Sequence, residues 1–169
     1  MTRSWPELAA RTREIALELT SWPSVTGTPD EAAFAGRFAN YLQRSKSLDV
    51  WTEALPKDAA GRSSVFALKR GASSRTIVLA GHFDTVSFSD YGELAKFALN
   101  PEALRDVMIA RLAQTGENAL ALADLTSGDF LPGRGVLDMK SGIAAGLAAM
   151  ESYDGEHSLL LMATPDEED

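Results

Sequence analysis

Three features of the sequence predict an α/β fold. The apolar run Thr76-Ile77-Val78-Leu79-Ala80-Gly81 stops at His82, with Asp84 two residues on. A second apolar run, Leu159 to Ala163, stops at Pro165-Asp166-Glu167-Glu168-Asp169, and amphipathic helical patterns precede and separate the two. Consecutive apolar residues without polar alternation suit strands covered on both faces, as in a parallel sheet. The expected fold is therefore α/β, a mixed, largely parallel sheet flanked by helices. In open sheets of this kind ligands bind beyond the carboxyl ends of the strands, which is where His82, Asp84 and the acidic run fall.

Two helices come first. Ser4-Trp5-Pro6-Glu7 reads as a capping box, after which Leu8, Ile15, Leu19 and Trp22 fall on one face. This helix should end before Pro23, in the turn-rich segment 22–28. Thr28-Pro29-Asp30-Glu31 repeats the start signal, and Phe34, Phe38 and Tyr41 follow at a spacing that favours a core face over a ligand box. Leu48 to Leu55 and Ser63 to Lys69 look like strands with one exposed face each, joined as a hairpin through Gly61-Arg62. Arg70 to Ser74 is a surface turn into the His82 strand.

After Asp84 comes a helical excursion. Asn100-Pro101-Glu102 starts a helix with Leu104, Val107, Met108 and Leu112 on one face, and Ala119 to Leu125 adds another turn or two. Lys140 to Ser152 carries Ile143, Leu147 and Met150 among small residues, a helix packed on a sheet where Gly142 and Gly146 permit close approach.

Composition sets the outer bounds. At 169 residues and 45% hydrophobic, the chain forms one ordinary domain and is too short for a two-domain enzyme. With 24 acidic against 16 basic residues, its net charge of −8 disfavours nucleic acid and anionic membranes as partners. The absence of cysteine excludes disulfides and thiolate zinc sites and fits a reducing compartment. Arg3, Glu7, Arg11 and Arg13 interrupt the N-terminal apolar residues as neither a signal peptide nor a membrane span would, so a soluble, cytoplasmic protein is expected.

The chemistry rests on three stretches. A lone His-x-Asp also fits a histidine bonded to a turn carboxylate. Here, however, a second strand repeats the design, and together the stretches offer one imidazole and several carboxylates, a set that suits a divalent metal cluster of the zinc type. Gly81-His82-Phe83-Asp84-Thr85-Val86, then Gly133-Arg134-Gly135 with Asp138-Met139-Lys140, then Asp166-Glu167-Glu168 stand in this order. In that order they resemble the co-catalytic zinc metallopeptidases that include glutamate carboxypeptidase, aminoacylase and succinyl-diaminopimelate desuccinylase. Asp90-Tyr91-Gly92-Glu93-Leu94 in the excursion resembles the arginine-utilisation branch of that family.

The resemblance implies a zinc-peptidase-like (phosphorylase/hydrolase-like) catalytic domain, of which 1–169 is the N-terminal part. A lid or dimerisation domain, through which a homodimer would form, is absent. It implies two divalent metals, zinc in the first place, with His82 on one, Asp138 bridging both and Glu168 on the other. Asp84 would orient His82. Glu167 would be the general base, taking a proton from a metal-bridging water as it attacks an amide carbonyl. A cis peptide is implied between Asp138 and Met139.

Lys140 reads as a solvated helix start and Arg134 as a loop anchor. His157 opens a strand at the end opposite the site, so further metal ligands are expected beyond Asp169, and the isolated piece is expected to hold metal weakly or not at all and to be inactive. The expected activity of the full-length protein is hydrolysis of a peptide or N-acyl amide bond next to an amino-acid carboxylate, with a small peptide or N-acyl amino acid as substrate. The alternatives are an aminopeptidase on the same scaffold and a non-catalytic scaffold or binding module.

Overall fold

Helix α1 (Trp5–Thr20) begins where the capping box placed it. The main-chain N–H and hydroxyl of Ser4 both donate to Glu7 Oε2, at 2.8 and 2.7 Å. In this computed structural model, which describes residues 3–168, α1 buries Ile15 and Leu19, and α2 (Pro29–Leu42) buries Phe34 and Phe38. Trp22 packs edge-on against Phe34 and Tyr41, while Phe34 stacks on Phe83 with ring centroids 4.5 Å apart. Burying each such ring contributes about 1.5–3 kcal/mol. The stack also fixes α2 against the residue that follows the site histidine.

Strands β1 (Asp49–Ala54), β2 (Ser63–Lys69), β3 (Thr76–His82) and β4 (Ser158–Thr164) form one sheet in the order β1-β2-β4-β3. β1 with β2 and β2 with β4 are antiparallel, and only β3 with β4 is parallel. The sheet is mixed as expected, but its pairings are mainly antiparallel, because the hairpin of residues 49–69 presents β2 to β4 in the opposite direction. The parallel pair sets His82 opposite Thr164, so both strands run out at the same end.

Val65 and Ala67 of β2 and Leu159, Leu161 and Ala163 of β4 are buried with Phe34 and Phe38 of α2 and with Ile143 and Leu147 of α5 (Ser141–Ser152). A Cβ on Gly146 of α5 would lie 3.4 Å from Leu161 and 3.6 Å from Leu79, ordinary contact distances. Lys69 Nζ donates to the carbonyls of Met150 and Tyr153 at 2.7 Å, satisfying the C-terminal end of α5.

The expectation that β3 is covered on both faces is corrected: among the described residues β3 is the outer strand of the sheet, with Ile77 44% and Val78 53% exposed. A short apolar run reads the same for a central and an edge strand, so periodicity could not place it. Trp51, stacked on Phe66 at 5.2 Å and 38% exposed, marks the less covered face of the sheet.

Between β3 and α5 the excursion runs through 3-10 turns at Ser89–Phe97, helix α3 (Pro101–Thr115) and helix α4 (Ala119–Ser127). Asn100 and Asn118 cap the two helices by accepting from the main-chain N–H groups of Ala103 and Ala121. Leu104 of α3 is buried, and Val107, Met108 and Leu112 are half-buried on the same face. Among the described residues no helix is long and apolar enough to cross a membrane.

Candidate metal centre

His82 ends β3 and is 5% exposed. Just beyond it, Thr85 N donates to Ser24 O and Thr26 N to Thr85 O, both at 3.0 Å, so the chain leaving β3 is pinned to the α1–α2 loop. The imidazole Nδ1 faces Asp84 twice, at 3.2 Å from its carbonyl and 3.3 Å from carboxylate Oδ1. Nε2 faces Asp138 Oδ1 at 2.8 Å and Glu167 Oε2 at 3.7 Å. Ligand atoms of His82, Glu167 and Glu168 lie within 4.8 Å of one another. Burial pushes the imidazole pKa down. The hydrogen bond to Asp138 and the charges of Asp84, Glu167 and Asp138 outweigh it and hold His82 above its ordinary value.

Asp84 is fully buried and does more than face the imidazole. Its Oδ2 accepts from Thr26 Oγ1 at 2.9 Å and from the main-chain N–H groups of Glu167 and Glu168 at 2.9 and 3.0 Å. One carboxylate thus ties the end of β3 to the turn after β4. Nothing in the local sequence singles out Thr26, which lies 58 residues from Asp84.

Asp138 reaches the cluster through the tight turn of residues 136–140. Gly135 enters it at φ 75°, in the left-handed region, and a Cβ there would lie 2.6 Å from Thr85 Cγ2. The Asp138–Met139 peptide is cis. Arg134 is the loop anchor expected of it: its guanidinium donates to both Asp90 oxygens, at 2.5 and 2.6 Å, and lies over the Tyr91 ring. This ion pair holds the Asp90 carboxyl below the usual range.

Lys140 overturns its expectation as a solvated helix start, because it is fully buried. Nζ donates to Trp22 O at 2.7 Å and lies 4.8 Å from the centre of the Phe34 ring. Burial pushes its pKa down to about 7, opposed by the charge of Asp84. The turn after Asp138 directs the side chain inward, toward a carbonyl 118 residues away that the local sequence could not reveal. The available signal was electrostatic, since several carboxylates around one imidazole need a buried countercharge.

His157 stands apart from the site, with Nδ1 2.7 Å from Ser73 Oγ. Asp166 pairs with Arg62, and Asp169 lies outside the described residues. The structure gathers His82, Glu167 and Glu168 into one cluster, while Asp138 meets the same imidazole at Nε2 and stands outside the mutual cluster with the two glutamates. A divalent cation fits these nitrogen and oxygen donors, and at Nε2 it would compete with a proton.

No family model matches the chain. In sequence it is 33% identical to Protein RocB of Bacillus subtilis (strain 168), over 95% of this chain and 30% of that protein. It is 32% identical to Uncharacterized protein YqjN of the same organism, over 89% of this chain and 28% of that protein. The chain thus spans about 30% of the length of the curated relatives it matches.

In fold it is similar to Fimbriiglobus ruber glutaminyl cyclase, with TM-score 0.57 and 12% identity over 99% of this chain and 48% of that one. The di-peptidase Dug1p from Saccharomyces cerevisiae matches with TM-score 0.55 and 13% identity, over 95% of this chain and 33% of that one. The M20 family metallo-carboxypeptidase Sso-CP2 from Sulfolobus solfataricus matches with TM-score 0.53 and 14% identity, over 91% and 30%.

Proposed function

The chain is related in sequence to RocB and YqjN and shares the fold of the M20 peptidases, and from that premise we propose that it carries the metal-binding part of an amide hydrolase. The bond cleaved is a peptide or N-acyl amide next to an amino-acid carboxylate. The observation that carries this reading is the clustering of His82 with Glu167 and Glu168, and of Asp138 against His82 Nε2, where β3 and β4 run out in parallel.

His82, Asp138 and Glu168 would hold two divalent metals, zinc in the first place. When bound, these metals polarise the amide carbonyl and acidify water. The main-chain carbonyl of Asp84 faces Nδ1 at 3.2 Å, and by accepting from it favours the tautomer that leaves the Nε2 lone pair for a cation. Glu167 has 60% of its side chain exposed, beside His82, where it can take a proton from water and pass it to the leaving amine. The described residues offer two metals fewer than the roughly three protein ligands that each catalytic zinc takes. The 169-residue chain is therefore assigned binding without turnover.

Calorimetric titration with zinc tests the reading on the chain, on His82→Ala and on Glu167→Gln. Weak binding that His82→Ala removes and Glu167→Gln retains is expected. In a polypeptide of the relatives' length, Glu167→Gln should lower hydrolysis of N-acyl amino acids by about 100-fold or more. Tight two-site binding by the chain, or binding indifferent to His82, would overturn the assignment.

A further inference from the structure

Three successive main-chain N–H groups at the end of β4, those of Asp166, Glu167 and Glu168, all donate to buried carboxylates. The latter two go to Asp84. The first goes to Glu31 Oε1 at 2.9 Å, 135 residues earlier in the chain. Glu31 lies in the first turn of α2 and is fully buried. Its Oε2 accepts from Gly27 N at 2.8 Å and lies 3.5 Å from Arg62 Nη1. Arg62 also pairs with the carboxylates of Asp58 and Asp166.

A carboxylate is a costly group to bury in the first turn of a helix whose neighbours are Phe34, Ala35 and Phe38. Desolvation pushes the Glu31 pKa up, against the N–H groups of Gly27 and Asp166 and the charge of Arg62. Helix packing needs no charge at this position, whereas the turn after β4 does use it. Asp166 has φ 69°, a left-handed conformation unusual for a non-glycine residue. Glu31 holds its N–H while Arg62 holds its side chain. Together with Asp84, these contacts turn the main-chain donors of 166–168 inward, and the carboxylates of Glu167 and Glu168 gather on the His82 side.

We propose that Glu31 and Arg62 are positioning residues for the metal centre, setting the turn that delivers Glu167 and Glu168. This inference rests on the metal-centre reading, although its first readout does not need a metal. Amide hydrogen exchange in Glu31→Ala is expected to accelerate at Asp166, Glu167 and Glu168 while Leu159 to Ala163 stay protected. Zinc affinity should fall about 10- to 100-fold, the range found when partners of metal ligands are removed.

Arg62→Lys keeps the charge but not the forked geometry, and should give a smaller loss in the same direction. Ile15→Val, a core change remote from the turn, should lower stability without altering zinc affinity. Unchanged exchange at 166–168 in both variants overturns the inference. So does zinc affinity equal to the parent's in both variants when His82→Ala abolishes binding. If His82→Ala leaves zinc binding intact, the metal-centre reading fails and the exchange measurement alone judges the role of Glu31 and Arg62.

Discussion

Lys140 makes the stability of the protein depend on pH in a predictable direction. Its folded pKa of about 7 lies below the ordinary 10.5, so between these values the unfolded chain binds more protons than the folded one. Stability therefore rises with pH across that window, by at most about 1.4 kcal/mol per unit, and the gain is lost as pH falls through the folded pKa. Lys140→Met removes the titrating group and with it the slope. Urea unfolding of parent and variant at about pH 7 and about pH 9 measures this: the parent should gain on the variant by about 1–2 kcal/mol. Equal gains would mean that Lys140 titrates normally and that its enclosure beneath Phe34 and Trp22 is incomplete.

Secondary elements were legible where their signals are local. The capping box at Ser4, the Pro29 and Pro101 starts and the Asn100 cap lie within a few residues of what they determine, and the two strand ends were visible as apolar runs stopped by polar groups. Contacts made across the fold were not legible. The outer position of β3 depends on which strand lies beside it, and the buried roles of Lys140 and Glu31 depend on partners 118 and 135 residues away. Gly135, visible in the sequence only as part of a motif, shows its constraints in three dimensions. Its φ of 75° would strain any other residue, and a Cβ at this position would meet Thr85 Cγ2 at 2.6 Å. Gly135→Ala should destabilise by about 1–3 kcal/mol and weaken zinc binding along with it. Thermal unfolding and titration of the same preparation check both, and a variant as stable as the parent would show that the turn yields freely.

Across the 169-residue chain as a whole, the outer edge of the described sheet is open to pairing. Ile77 and Val78 are exposed on a strand whose far side has no partner among the described residues, the arrangement that invites strand pairing between copies. Val78→Lys places a charge on that edge and should reduce light scattering on concentration while changing unfolding stability by no more than about 0.5 kcal/mol. Scattering that is equal in parent and variant would show that this edge does not drive self-association.

The strand order also bears on the sequence of events in time. β4 follows every other described element along the chain, yet it lies between β2 and β3. β2 can pair with β1 early, but β3 meets its described neighbour only after residues near 158–164 have left the ribosome, and closing the interval between β3 and β4 delays their pairing further. The strand that joins β2 to β3 is the one that brings Glu167 and Glu168 to His82. A nascent chain therefore cannot gather those donors around a cation before β4 has paired with β3.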